Sequence, residues 1–272
     1  MGHATVLSRA GIGLNAPLVA VEAHLSNGLP AFSIVGLPES SVRESRERVR
    51  SALICSHFKW PDRRITVSLA PAELPKSGGR FDLPIALAIL VASEQLAGSA
   101  VANREFFGEL GLDGSLRHCR GLLAAVHAAT LARHAVIVPD EQAEKMAKVP
   151  ASQVTGASDL LSVCGLLKSK RLGVVTVKTN PSSTLQHTET PQITGQEVAK
   201  RALEIAAAGG HHLLMIGPPG AGKTLLAASL PPLLEALSPS DELELSLIRD
   251  LLGLEPSVER PFRAPHHNTT AA

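Results

Sequence analysis

A chain of 272 residues is long enough for two domains, and an apolar share of 44% is enough to bury cores in both. Its charges nearly cancel at +1, which excludes a global field for nucleic acid, membrane or acidic substrates and leaves only local patches. With 3% aromatic residues and no tyrosine, the cores must be aliphatic, and a stacking platform for single-stranded bases is hard to assemble.

Cys55, Cys119 and Cys164 are far apart and show neither metal-ligand nor disulfide spacing, so they read as reduced thiols. The longest apolar stretch, Leu83 to Ala92, is too short to span a bilayer, and the N-terminus has no apolar signal core. A soluble cytoplasmic protein is the expectation.

In chain order, Val19 to Val35 predicts two strands joined by a hairpin-type turn at Asn27-Gly28. Ser40 to Phe58 predicts an amphipathic helix. Its inner stripe is Val42, Val49, Leu53 and Ile54, and Arg43, Glu44, Arg46, Glu47, Arg48 and Arg50 face water. Arg64 to Ala70 alternates as a strand, and Asp82 is placed to cap a helix over Leu83 to Ser93. A strand at Phe106 to Leu110 and a turn at Asp113-Gly114 follow. Then come a helix from Gly121 to Arg133 and a strand from Ala135 to Val138. Asp140 to Ala147 and Asp159 to Leu167 read as short helices around a brief strand near Val154. This alternation predicts an α/β domain.

Lys178 to Pro191 is rich in Ser, Thr, Pro and Asn and reads as a solvated linker. Beyond it, Gly195 to Ala208 predicts a helix and His212 to Ile216 a buried strand, opening a second α/β domain. The expected domains are therefore 1–177 and 192–272 around a linker at 178–191, with the second incomplete at Ala272.

Gly217-Pro218-Pro219-Gly220-Ala221-Gly222-Lys223-Thr224 matches the phosphate-loop pattern G-x-x-x-x-G-K-[ST] in full. Glycines let successive backbone N–H groups turn toward phosphate oxygens, and the following helix adds its positive end. Lys223 would reach the β- and γ-phosphates of ATP, and the Thr224 hydroxyl would take a place on Mg²⁺. Hydrolysis also needs an acidic residue after a second apolar strand. None of Glu235, Asp241, Glu242, Glu244, Asp250, Glu255 and Glu259 follows such a run, and Leu243 to Ile248 reads as helix.

The run Ile193 to His212, beginning Ile193-Thr194-Gly195-Gln196-Glu197, resembles the opening of the magnesium-chelatase-like AAA+ ATPases, and more narrowly the YifB/ComM group. Arg260-Pro261-Phe262-Arg263-Ala264-Pro265-His266-His267 is similar to a second signature of that group. The resemblance implies a cytoplasmic, ring-forming, hexameric ATPase using ATP and Mg²⁺. In its full-length form it would act as a DNA motor for branch migration in natural transformation. It also implies that Gln196 lies near the nucleotide base, and that the family's acidic motif, sensor and arginine finger fall outside this chain. The first domain resembles the Lon-protease-like (ribosomal S5-like) fold through Pro75 to Asp82 and Phe107 to Gly114. Arg80 stands at the position corresponding to that protease's nucleophile, and an apolar residue near Leu123 stands at its lysine's place. Ser77 and Lys76 cannot form a dyad, because adjacent side chains on an extended chain point apart, so no proteolysis is expected.

Arg260, Arg263, His266 and His267 could contact DNA or a neighbouring subunit, or form only a solvated Pro-rich loop; a metal pair of the two histidines lacks a third ligand. His211 and His212 read as structural. Arg43, Arg46 and Arg50 could make a basic stripe, although the alternating charges favour a solvated face. A non-catalytic binding or assembly module is the alternative reading of the chain, with a peptidase or magnesium insertion into a porphyrin further behind.

Overall fold

The computed structural model describes residues 2–36, 39–169, 193–254 and 260–265. The expected linker at 178–191 lies outside them, as do His266 and His267. Contacts group the described residues into two compact units, 2–169 with 245–254, and 193–244 with 260–265.

The first unit is an α/β domain built on a seven-stranded sheet of order β3-β4-β2-β1-β5-β8-β9. Its strands are β1 (Gly2–Arg9), β2 (Leu18–Ser26), β3 (Ala31–Val35), β4 (Arg64–Ala70), β5 (Arg104–Phe106), β8 (Ala135–Pro139) and β9 (Val154–Ala157). A separate ribbon pairs β6 (Glu109–Leu110) with β7 (Leu116–Arg117). The helices are α1 (Ser40–Cys55), α2 (Asp82–Ala92), α3 (Leu122–Leu131), α4 (Asp140–Met146) and α5 (Leu160–Ser169). β1, β2 and β4 pair antiparallel, whereas β3–β4, β1–β5, β5–β8 and β8–β9 are parallel.

The predicted hairpin does not form. β4 lies between β2 and β3, pairing Val21 with Leu69 on one edge and Ile34 with Val67 on the other. A two-residue type I′ turn needs positive φ at both central residues, and of Asn27 and Gly28 only Gly28 has it. β1 was not anticipated. Its polar residues alternate with the buried Ala4 and Val6, and it pairs along its whole length with β2.

α2 is apolar all round, and Leu83 through Leu90 are fully buried, as befits a helix enclosed by other elements. Pro84 falls in the first turn, where a backbone N–H would have no intrahelical partner. Asp82 does not cap this helix. Phe81 holds the cap position, and Asp82 is the first helical residue with its carboxylate buried. That carboxylate accepts hydrogen bonds from the Ser45 hydroxyl, from Arg48 Nε at 2.7 Å and from the Leu110 N–H at 3.2 Å. Arg48, expected in water, is therefore drawn inward. On α1, Ala52 is buried where Ile54 was expected, and Ile54 is half exposed.

In the second unit, α6 (Glu197–Gly209), α7 (Lys223–Ala228) and the first part of α8 (Pro239–Leu251) are helical. Residue 245 onward of α8 belongs to the first unit. The buried strand expected at His212 to Ile216 is not formed: the segment has no ladder partner among the described residues, and Leu214 is 82% and Ile216 88% exposed. A strand's backbone groups are satisfied only by a neighbouring strand, and the described residues of this unit contain none. Leu243 to Ile248 is helical as expected.

Candidate functional site

The phosphate loop turns on its glycines. Gly220 (φ 81°) and Gly222 (φ 79°) occupy the left-handed region, where a Cβ is disfavoured, and α7 begins at Lys223. The Lys223 side chain folds back over the loop, its Nζ donating to the carbonyls of Gly217 and Pro218 at 2.8 Å each. Thr224 is exposed at the start of the helix. Gln196, itself at positive φ (57°), donates through Nε2 to the Ala221 carbonyl at 2.8 Å. The fold therefore brings together Gln196 and the loop, residues far apart in sequence.

These residues fit a bound nucleoside triphosphate in chemistry. Residues 217–220 and Thr224 are exposed, and the half-buried Lys223 places its cation at the loop's carbonyl rim. Arg260 Nε donates to the Glu235 carbonyl at 2.6 Å, and Arg263 is exposed. His211 and His212 are both exposed, not tucked into a strand.

The residues aligned with a protease centre are arranged otherwise. Lys76 is fully buried, with Nζ donating to the carbonyls of Gly36 (2.9 Å) and Pro71, while Ser77 is exposed. Burial pushes the Lys76 ammonium below its ordinary value, with Glu73 opposing. No hydrogen bond joins Ser77 to Lys76 among the described residues, and the buried Leu123 offers no amine. Burial pushes both Cys119 and Cys164 up to about 12, so these thiols stay protonated and inert.

The sequence alone gave no role to Asp250. Here it is nearly buried, accepting from the Leu123 N–H at 3.0 Å and from Lys145 Nζ at 2.8 Å. No local signal foretells partners this distant in sequence. Arg80 stands out in the sequence only through the protease resemblance, and nothing local foretells its buried guanidinium.

Comparison with known proteins identifies the family. The profile of "Subunit ChlI of Mg-chelatase" matches residues 21–142, and that of "Magnesium chelatase, subunit ChlI" matches residues 189–272. The class is therefore the magnesium-chelatase-like proteins. The competence protein ComM of Haemophilus influenzae is 45% identical over 282 residues, covering 99% of this chain and 55% of its own. An uncharacterized protein, YifB, of Salmonella typhimurium is 43% identical over 274 residues, covering 99% and 54%. The YifB protein of Escherichia coli is 44% identical over 276 residues, again covering 99% and 54%. The chain belongs to the magnesium-chelatase-like family and is of the YifB/ComM type. It spans about half the length of these curated relatives.

Proposed function

We propose that this chain binds ATP with Mg²⁺ at Gly217 to Thr224, and that in the setting of its longer relatives this binding serves an oligomeric, cytoplasmic motor acting on DNA. The observation that carries the reading is the loop folded about its own lysine, with Gly220 and Gly222 in left-handed turns and Lys223 Nζ on the Gly217 and Pro218 carbonyls. Lys223 would exchange those carbonyls for phosphate oxygens, the loop N–H groups would hold the phosphate chain, and the Thr224 hydroxyl would ligate the metal. Bound Mg²⁺ would supply charge neutralisation across the phosphates. Gln196 would steady the loop through Ala221, close to where the nucleotide enters. The motor role rests on family membership and on the name of the Haemophilus relative, a competence protein. Among the described residues no helix is long and apolar enough to cross a membrane. The domain division at 178–191 and DNA or subunit contacts by Arg260, Arg263, His266 and His267 belong to the same proposal.

Titration calorimetry with ATP and Mg²⁺ on the chain and on Lys223→Ala tests it. Micromolar binding that weakens at least about tenfold in the variant is expected, since a charge-assisted contact to phosphate is lost. Equal binding by both proteins, or by neither, would sink the reading and leave a non-catalytic binding or assembly module in its place.

A further inference from the structure

Among the described residues of the first unit, the buried cations Arg9 and Lys76 have hydrogen-bond partners, whereas one nitrogen of the buried Arg80 has none. Arg9 grips Glu105 in two-pronged fashion, Nε to Oε2 at 2.7 Å and Nη2 to Oε1 at 2.8 Å. Lys76 donates to two carbonyls. Arg80 is 8% exposed and makes no ion pair among the described residues. Its Nη2 donates to the Arg120 carbonyl, but Nη1 has no hydrogen-bond partner there. Leaving a charged N–H buried and unpaired is costly, and folded proteins rarely tolerate it without a ligand, an ion or an ordered water to complete the set.

That guanidinium forms part of the wall of a cavity of about 410 Å³, a size suited to a small molecule. Arg80, Arg120 and His118 supply its basic groups, Glu109 its one carboxylate, and Ser77 and Gly78 part of its rim. The acidic group does not serve Arg80. The Glu109 carboxylate lies against Gly79, where a Cβ would meet Oε2 at 2.3 Å, and it forms no ion pair with Arg80. Asp250 also acts on Arg80 only at a distance, being bound to Lys145 and to the Leu123 N–H. Gly11 keeps the other side open, because a Cβ there would come within 2.5 Å of Nη2.

We propose that this cavity binds a small ligand bearing an oxyanion, a carboxylate or a phosphate, on the Arg80 guanidinium, with Arg120 as a supporting cation and His118 as a further hydrogen-bonding group. The planar fork of Arg80 suits either anion, and Glu109 is placed to accept a hydrogen bond from a hydroxyl or amine elsewhere on the ligand. The site is separate from the phosphate loop and does not depend on nucleotide binding there.

Because inorganic phosphate could also occupy the phosphate loop, the test uses the full chain carrying Lys223→Ala. It is titrated separately with inorganic phosphate and with succinate. At least one should bind saturably, and which one does so identifies the anion. Arg80→Gln in that background should weaken binding at least about tenfold and Arg80→Lys by a smaller factor, as the paired donors are lost. Arg120→Gln, at an exposed side chain that does not threaten the fold, should weaken it about threefold. Fluorescence of Trp60, the single tryptophan, checks that each variant is folded. If Arg80→Gln does not fold, Arg80→Lys and Arg120→Gln decide. The proposal is overturned if neither anion binds below about 10 mM, or if the folded Arg80 and Arg120 variants bind as tightly as their parent.

Discussion

α2 beyond Asp82 and the segment 213–216 are both runs of apolar side chains, yet one is sealed and the other largely faces solvent. Leu83 through Leu90 are fully buried, while Leu214 and Ile216 are more than four-fifths exposed. Hydrophobicity does not separate them. A helix satisfies its own backbone and needs only apolar neighbours, which the sheet supplies through β1 and β2. A strand needs a second strand before its side chains can be covered. Leu87→Ala and Leu214→Ala turn this contrast into numbers. Leu87→Ala should destabilise the first unit by about 3 kcal/mol through lost burial and a cavity, and urea unfolding followed by Trp60 fluorescence would report it. Leu214→Ala should stay within about 0.5 kcal/mol, as at an exposed site, by circular dichroism. A large loss at Leu214 would show that the segment is covered in solution and would break the contrast.

A smaller effect is expected where a buried charge, not an apolar group, secures the same helix. Asp82 anchors the start of α2 to α1 through Ser45 and Arg48 and to β6 through the Leu110 N–H. Asp82→Ala leaves a buried N–H and a buried hydroxyl without their acceptor and removes the carboxylate from Arg48. The Arg48 side chain, 21% exposed, can turn partly to water. The cost should be about 2 kcal/mol, below the full value for breaking a wholly buried pair, read from the same urea transition. No change in the transition midpoint would mean that packing alone holds α2 in place.

The elements whose residue pattern is local were legible. β4 was anticipated residue for residue, and α1, α3 and α4 were anticipated to within a few residues at their ends, because period and punctuation are written into neighbouring positions. Pairing was not legible. Asn27-Gly28 looks like a hairpin locally, and only the competition of β4 for both neighbours decides otherwise. Asp82 was assigned to a cap because Ser45 and Arg48 lie more than thirty positions away. The turn at Gly220 and Gly222 was readable from the glycine spacing. The Gln196 contact with Ala221 came only with the fold, and the unmatched Arg80 guanidinium has no local signature at all.

Apart from the near-zero change at Leu214, the smallest expected loss sits at a helix start where the sequence was nearly sufficient. Asp159 precedes α5 and accepts from the Ser162 N–H at 2.7 Å, while the Asp159 N–H donates to the Ser162 hydroxyl at 3.2 Å. This is a reciprocal cap built from Asp and Ser. Partial burial works to raise the Asp159 carboxyl, but hydrogen bonds from the Ser162 N–H and the Ser158 hydroxyl outweigh it and hold the group below its ordinary value. A folded value below the unfolded one stabilises the charged form. The contribution is therefore complete above about pH 4, the ordinary aspartate value, and fades as pH falls through the depressed folded value. Asp159→Ala should cost about 1 kcal/mol at neutral pH, typical of a lost N-cap, and the difference from the parent should shrink in acid. Asp159→Asn keeps the acceptor without the charge, so it should retain most of the stability and lose the pH dependence. A pH-independent gap for Asp159→Ala would show that the cap acts through geometry alone, with no part played by its charge.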